Sequence, residues 1–307
     1  MSPDDPLRAI ALAVSATVLF GSSDTISKFL SGSLPIIEFI WIRYVIFLIL
    51  AMILAGRGPH KHLRPRNPWQ QVVRGLCVIG SSVLFVYGVR QMTMAQATTI
   101  SFLSPLLVTI LSIPILGESV GPRRWAAVGA GVIGMLVVVR PGLGGFQPAA
   151  LFGVASSLCW ALALIITRKI SNTDPPQVTV LWSAAIGTAV LSSMLPFQAV
   201  WPSPTQFGWS LVLGVLASGG QWLVILAHRV APASLLAPFF YSQLLWVTAL
   251  GFLVFGNLPD AWTVAGAAII IASGLYTAHR ERVRVRRRAA SPDQAPSGRH
   301  ARSQTAA

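Results

Sequence analysis

The chain is short of charge, of acid and of cysteine, and each shortage closes off a class of protein. Only 10% of its 307 residues are charged, against about 25% in soluble domains, so a soluble two-domain protein of this length is excluded. Asp and Glu number nine against 23 Lys and Arg, a formal net charge of +14. An excess of that sign raises nucleic acid as a partner, but an apolar chain has no broad basic face unless its charges cluster, and no nucleic acid is expected. Two cysteines, Cys77 and Cys159, both in apolar runs, allow neither a disulfide framework nor a four-thiolate metal site. His60, His62, His228, His279 and His300 fall at helix ends, in connections or in the carboxyl-terminal tail, so no buried Ser-His dyad, haem pair or HExxH zinc site can be assembled. The three lysines, Lys28, Lys61 and Lys169, precede Phe, His and Ile. A Walker A Lys-Ser/Thr is therefore missing, and with it a self-powered pump. Neither an enzyme nor a resident cofactor or metal is expected.

What the chain has in abundance is apolar length: 54% of it is hydrophobic and its mean hydropathy is +0.67. A membrane-spanning helix needs about 20 apolar residues. Ten runs qualify, at 9–27, 36–55, 72–89, 95–116, 125–139, 149–167, 178–195, 207–227, 233–255 and 262–278. The uninterrupted apolar stretches of the third and fifth, 75–89 and 125–139, are only 15 residues each, so the flanking Arg74, Arg90, Arg124 and Arg140 are expected to snorkel to the interfaces. Short connections rich in Gly, Pro, Asp and Asn, such as Thr173-Asp174-Pro175-Pro176, leave no room for a soluble catalytic domain. The first run reads as a retained span and not as a signal peptide, because Gly21-Ser22-Ser23-Asp24 follows it in place of a cleavage site. With both termini cytoplasmic, 19 of the 23 basic residues fall on the cytoplasmic side; Lys28, Arg90 and Arg140 lie opposite and Arg43 within a span. That is the positive-inside pattern.

The chain repeats itself at an offset of about 140. Small residues at Ala9, Ala13, Thr17 and Gly21 recur as Ala149, Gly153, Ser157 and Ala161, the spacing that lets helices approach closely in lipid. The fourth and ninth runs end at Gly117 and Gly256, and the fifth and tenth share Trp125 with Trp262 and Gly129 with Gly266. Five spans per copy is an odd number, so the copies must be inverted, as in many secondary transporters. The fold expected is an all-α polytopic membrane protein of ten transmembrane helices in two inverted five-helix repeats, 1–141 and 148–279. A basic cytoplasmic tail, 280–307, is expected to be disordered.

Phe102-Leu103-Ser104-Pro105-Leu106, then Leu116-Gly117-Glu118, Arg124-Trp125 and Gly134 through Arg140-Pro141, resembles the EamA-type repeat of the drug/metabolite transporter superfamily. The stretch 20–30 with Asp24 and Lys28, followed by Glu38 and Trp41-Ile42-Arg43-Tyr44, is similar to the opening of that repeat. Two departures stand in the second half: Asn257 where the first has Glu118, and Gln243 where it has Pro105. The resemblance implies a carrier of small metabolites in a bacterial inner membrane, working without ATP. Its opening resembles the uptake branch associated with cofactor-like substrates such as riboflavin or S-adenosylmethionine. Substrate, direction, coupling to protons and pairing with a second copy of the chain stay open. The competing classes are a channel, and a scaffold or sensor reaching a partner or anionic lipid through Arg280 to Arg288.

Ionisable groups inside a span are costly and mark function. Asp24 and Lys28 are four residues apart on one helical face, the spacing of an ion pair. Arg43 lies about 12 Å below Pro35 by helical rise. Asp24 and Arg43 are the leading candidates, Arg43 for an anionic substrate group or for holding Asp24 ionised, and Asp24 for coupling. Lys28 and Glu38 read more simply as a structural pair or interfacial anchors. Ser104 and Pro105 free a carbonyl in mid-span and Pro238 can do the same. Gln96, Trp160, Gln221, Trp222, Tyr241, Ser242, Gln243 and Trp246 are the neutral candidates for a substrate contact. Glu118, beside Arg123 and Arg124, reads as an interfacial ion pair or a gate. Trp69, Trp125, Trp201, Trp209 and Trp262 read as belt residues.

Overall fold

A computed structural model describes residues 6–56, 64–117, 121–140, 148–171, 173–197, 200–231 and 233–289. Its elements are α1 (Pro6–Ser31), α2 (Ile36–Gly56), α3 (Pro68–Gln91), α4 (Met94–Ser101), α5 (Ser104–Leu116), α6 (Pro122–Val139), α7 (Ala149–Ile170), α8 (Pro176–Met194), α9 (Pro204–Val230), α10 (Ala233–Phe240), α11 (Ser242–Phe255) and α12 (Ala261–Ala289), with no strand among the described residues. Counting α4 with α5 and α10 with α11 as single broken spans gives ten. Eight are long and apolar enough to cross a bilayer, and the shorter apolar stretches Trp125–Val139 and Ala261–Thr277 make up the rest. We call the end carrying the start of α1 the terminal face and the other the opposite face.

Local chemistry sets the ends. Proline occupies the first turn of α3, α5, α6, α8 and α9, where its missing N–H costs nothing. Capping boxes open α4 (Thr93 with Gln96) and α9 (Ser203 with Gln206). Gly117 and Gly256 end α5 and α11 at φ +68° and +69°, the left-handed conformation that glycine adopts without strain. The tail expectation needs correcting: α12 runs on through Ala289, so residues 280–289 are helical. Residues 290–307 lie outside the described residues.

The inverted repeat is visible in pairs of contacts. A Cβ on Gly75 of α3 would meet Ile186 of α8, and one on Gly214 of α9 would collide with Ile46 of α2; the offsets are 139 and 140. The same knob thus fills the same notch at two helix crossings. Repeats interleave throughout: α1 packs on α9 and α11, α7 on α3 and α5, α2 on α8, and α6 on α12. Asp174 on the terminal face is buried and accepts from the Arg66 N–H at 2.8 Å, tying the α7–α8 turn to the entry of α3. On the opposite face buried Glu38 accepts from the Val200 N–H at 3.1 Å, tying the start of α2 to the entry of α9. Arg140 pairs with Asp260 and lies 5.7 Å from the Trp262 ring centroid.

The α6–α12 crossing has the least slack. A Cβ on Gly134 would stand 2.9 Å from the Gly266 carbonyl oxygen, whereas one on Gly129 meets nothing within 4 Å. Backbone cannot rotate aside as a side chain can. Gly134→Val is expected to cost about 2–3 kcal/mol, with Gly129→Ala close to neutral, as thermal or SDS unfolding of the purified protein would show.

Candidate functional site

The two broken spans match in overall length and in the place where each first breaks. α4 and α10 each have eight residues, starting at Met94 and Ala233, and the turns after them fall at Phe102-Leu103 and at Tyr241. With the offset of 139 that aligns these starts and the caps Gly117 and Gly256, Phe102 is the equivalent of Tyr241. Their rings meet edge to face, centroids 4.9 Å apart. Equivalent residues can touch only near the axis relating the repeats, so the breaks sit at the centre of the molecule. The same offset corrects one expected equivalence: Gln243 stands at the position of Ser104, not of Pro105.

At the first break Pro105 has no N–H to give the Ser101 carbonyl, and the Ser104 hydroxyl donates to that oxygen at 2.8 Å. The Ser242 hydroxyl does similar work at the second, donating to the Phe239 carbonyl at 2.6 Å. Ser104 therefore repairs the break. Pro238 lies inside α10, three residues before its turn.

Against the second break runs α1, and the charged candidate is there. Gln243 Nε2 donates to Asp24 Oδ2 at 3.1 Å, Trp246 Nε1 donates to the Ser22 hydroxyl at 3.0 Å, and the hydroxyls of Thr17 and Ser242 share a hydrogen bond at 2.9 Å. Gly21 makes this approach feasible, since a Cβ there would stand 2.7 Å from the Trp246 ring. Arg43 of α2 lies within electrostatic reach of Asp24. It is half-buried, and among the described residues it makes no hydrogen bond and no ion pair within 4 Å. Ser23, next to Asp24, and Ser218 on α9 carry buried hydroxyls with no protein partner among the described residues. The centre thus offers an anion, a cation free of direct partners, spare hydroxyls and the paired rings of Phe102 and Tyr241.

Other candidates lie apart from it. Lys28 does not pair with Asp24: its ammonium donates to the Met92 carbonyl at 2.5 Å and lies 5.0 Å from the Phe255 ring centroid, docking the end of α1 on the α3–α4 turn. Gln96 is a helix cap whose side-chain oxygen accepts from the Thr93 N–H. Trp160 on α7 and Gln221 on α9 are half-buried, with no hydrogen bond among the described residues. Glu118 lies outside the described residues. The belt tryptophans Trp69, Trp125, Trp201, Trp209 and Trp262 are all exposed.

Sequence reasoning missed Arg74. It does not snorkel outward but turns in between α3, α7 and α8. Its Nε donates to Thr167 Oγ1 at 2.6 Å, and its Nη1 to the Thr179 carbonyl at 3.2 Å and to Ser183 Oγ. Asp174, read as turn punctuation, also accepts from buried Gln71 at 2.8 Å. No spacing rule announces either, because their partners are more than 90 residues away.

A model of the EamA-like transporter family matches residues 7–140 and 147–277. The chain is 28% identical to an S-adenosylmethionine uptake transporter of Rickettsia prowazekii, over 90% of this chain and 94% of the relative. It is 27% identical to a riboflavin transporter of Rhizobium johnstonii, over 92% and 96%, and 25% identical to a pseudopaline exporter of Pseudomonas aeruginosa, over 85% and 93%. A solved protein structure superposes with a TM-score of 0.63 at 19% identity, covering 90% of this chain and 98% of the other, a likeness of fold.

Proposed function

The chain belongs to the EamA-like transporter family, and from that premise we propose a secondary carrier that takes a small zwitterionic metabolite between Asp24 and Arg43. That it is a multi-pass membrane protein moving a small molecule follows from the family and from its relatives. The observation that carries the finer reading is Arg43, a guanidinium inside a span with no direct partner among the described residues. A charge held so far from water needs a counter-charge, and a carboxylate fits its planar fork. Asp24, fixed by Gln243, suits an ammonium or sulfonium. The edge-to-face pair of Phe102 and Tyr241 suits a planar ring.

S-adenosylmethionine has all of these parts, whereas riboflavin has the ring system and no carboxylate. Of these two, the site therefore favours S-adenosylmethionine. Discontinuous helices meeting at the repeat interface support alternating access, with Asp24 as the coupling carboxylate. A bacterial inner membrane with both termini in the cytoplasm is supported by the 19 basic residues of that side. The test is thermal stability of the purified protein with each compound. S-adenosylmethionine at about 100 times its dissociation constant should add roughly 2.7 kcal/mol to stability. A shift with riboflavin and none with S-adenosylmethionine would reject the zwitterion reading.

A further inference from the structure

Arg74 and Arg43 occupy related places in the two repeats. Arg43 lies at the α2–α9 crossing, its Cα 3.3 Å from where a Cβ on Gly214 would stand. Arg74 precedes Gly75 at the equivalent α3–α8 crossing, and it donates to Ser183, the residue that stands where Arg43 does once the repeat offset of 140 is applied. One guanidinium therefore sits at each crossing, although the two residues are not equivalent in sequence. Their depths match as well. By helical rise Arg43 is about 10 Å beyond Ile36 at the opposite face, and Arg74 about 9 Å beyond Pro68 at the terminal face. Buried Tyr44, the sequence neighbour of Arg43, reaches across to α3, where its hydroxyl shares a hydrogen bond with Ser82 at 3.3 Å.

Neither arginine has a carboxylate within 4 Å among the described residues. The three partners of Arg74 are two hydroxyls and a carbonyl, all neutral, and its Nη2 has no bond among the described residues. The partners orient the fork and leave its charge uncompensated. Orientation without neutralisation is what a site for a transient anion requires.

We propose that Arg74 is a second anion station, which meets the carboxylate of the substrate from the terminal face as Arg43 does from the opposite face. This rests on the carrier reading given above. In an inverted repeat the path opens to one side and then the other around a fixed centre, and a cation at matched depth on each side keeps a carboxylate from crossing uncompensated hydrocarbon. The alternative is a clamp that only fastens α3 to α7 and α8.

Initial rates of labelled S-adenosylmethionine entry into right-side-out and inside-out membrane vesicles separate the two. For Arg74→Gln, KM from the terminal face should rise about 10-fold with KM from the opposite face little changed, whereas Arg43→Gln, which removes the cation of the central site itself, should weaken entry from both faces and most from the opposite one. Arg74→Lys, which keeps the charge, should stay within a few-fold of wild type. Equal changes on both faces, or a loss that tracks a lowered thermal midpoint and is not rescued by lysine, would make Arg74 a clamp and overturn the station while leaving the carrier reading intact. Absence of saturable entry by the wild type from either face would remove the carrier reading for this substrate, and the station with it.

Discussion

Arg43→Gln is expected to reduce S-adenosylmethionine transport about 100-fold at substrate levels below KM, with the protein still folded. Removing one partner of a desolvated charge pair costs on the order of 3 kcal/mol, and each 1.4 kcal/mol is tenfold. The fold should survive because Arg43 makes no hydrogen bond or ion pair within 4 Å among the described residues that the change would break. Its backbone position against Gly214 does not depend on the head group. The loss should be confined to substrates bearing a carboxylate, so an analogue lacking it should be transported equally by wild type and variant. Arg43→Lys should recover part of the rate, since an ammonium restores the charge without the fork. Competitive uptake in proteoliposomes, with thermal midpoints in parallel, checks all three.

Asp24→Asn is expected to lower the rate about 30-fold and to flatten its dependence on pH. The amide keeps the shape of the carboxyl and can still accept from Gln243 Nε2, so the α1–α11 contact is retained. What goes is the negative charge, and with it the attraction for the cationic end of the substrate, worth about 2 kcal/mol for a hydrogen bond to a charged group. In the wild type, acid should weaken transport as Asp24 takes a proton and loses that attraction. The Asn variant has no such step. Asp24→Ala should be worse than Asn in stability, because it also leaves Gln243 without its acceptor. An Asn variant with full rate and the pH profile of the wild type would remove Asp24 from the mechanism.

Much of the architecture could be read from the chain because it is written in local patterns. Apolar length gave the spans, and Gly117 and Gly256 marked helix ends because only glycine takes the left-handed cap freely. The offset of about 140 announced the repeat before any contact was known. Asp24 and Gln243 were both marked from composition, one as a charge in a span and the other as a polar group near a break. That they bond to each other across 219 residues was not legible. Spacing tells which side chains share a helical face and is silent about which neighbour lies opposite. For the same reason the expected Asp24–Lys28 pair gave way to Lys28 with the Met92 carbonyl, and Arg74, placed at an interface by its position near a helix start, turned inward to acceptors on α7 and α8. Gln96 was marked as a polar group in a span, while its spacing from Thr93 fitted a cap, and capping is what it does.

Counterflow tests the central claim most directly. Proteoliposomes containing the purified wild-type chain are loaded with unlabelled S-adenosylmethionine, and entry of a trace of labelled compound is followed. A carrier with a single site exposed alternately to each side predicts a transient accumulation of label above equilibrium that saturates with concentration and disappears in Arg43→Gln. Entry that grows in proportion to the gradient, with no overshoot and no effect of the internal pool, would contradict it.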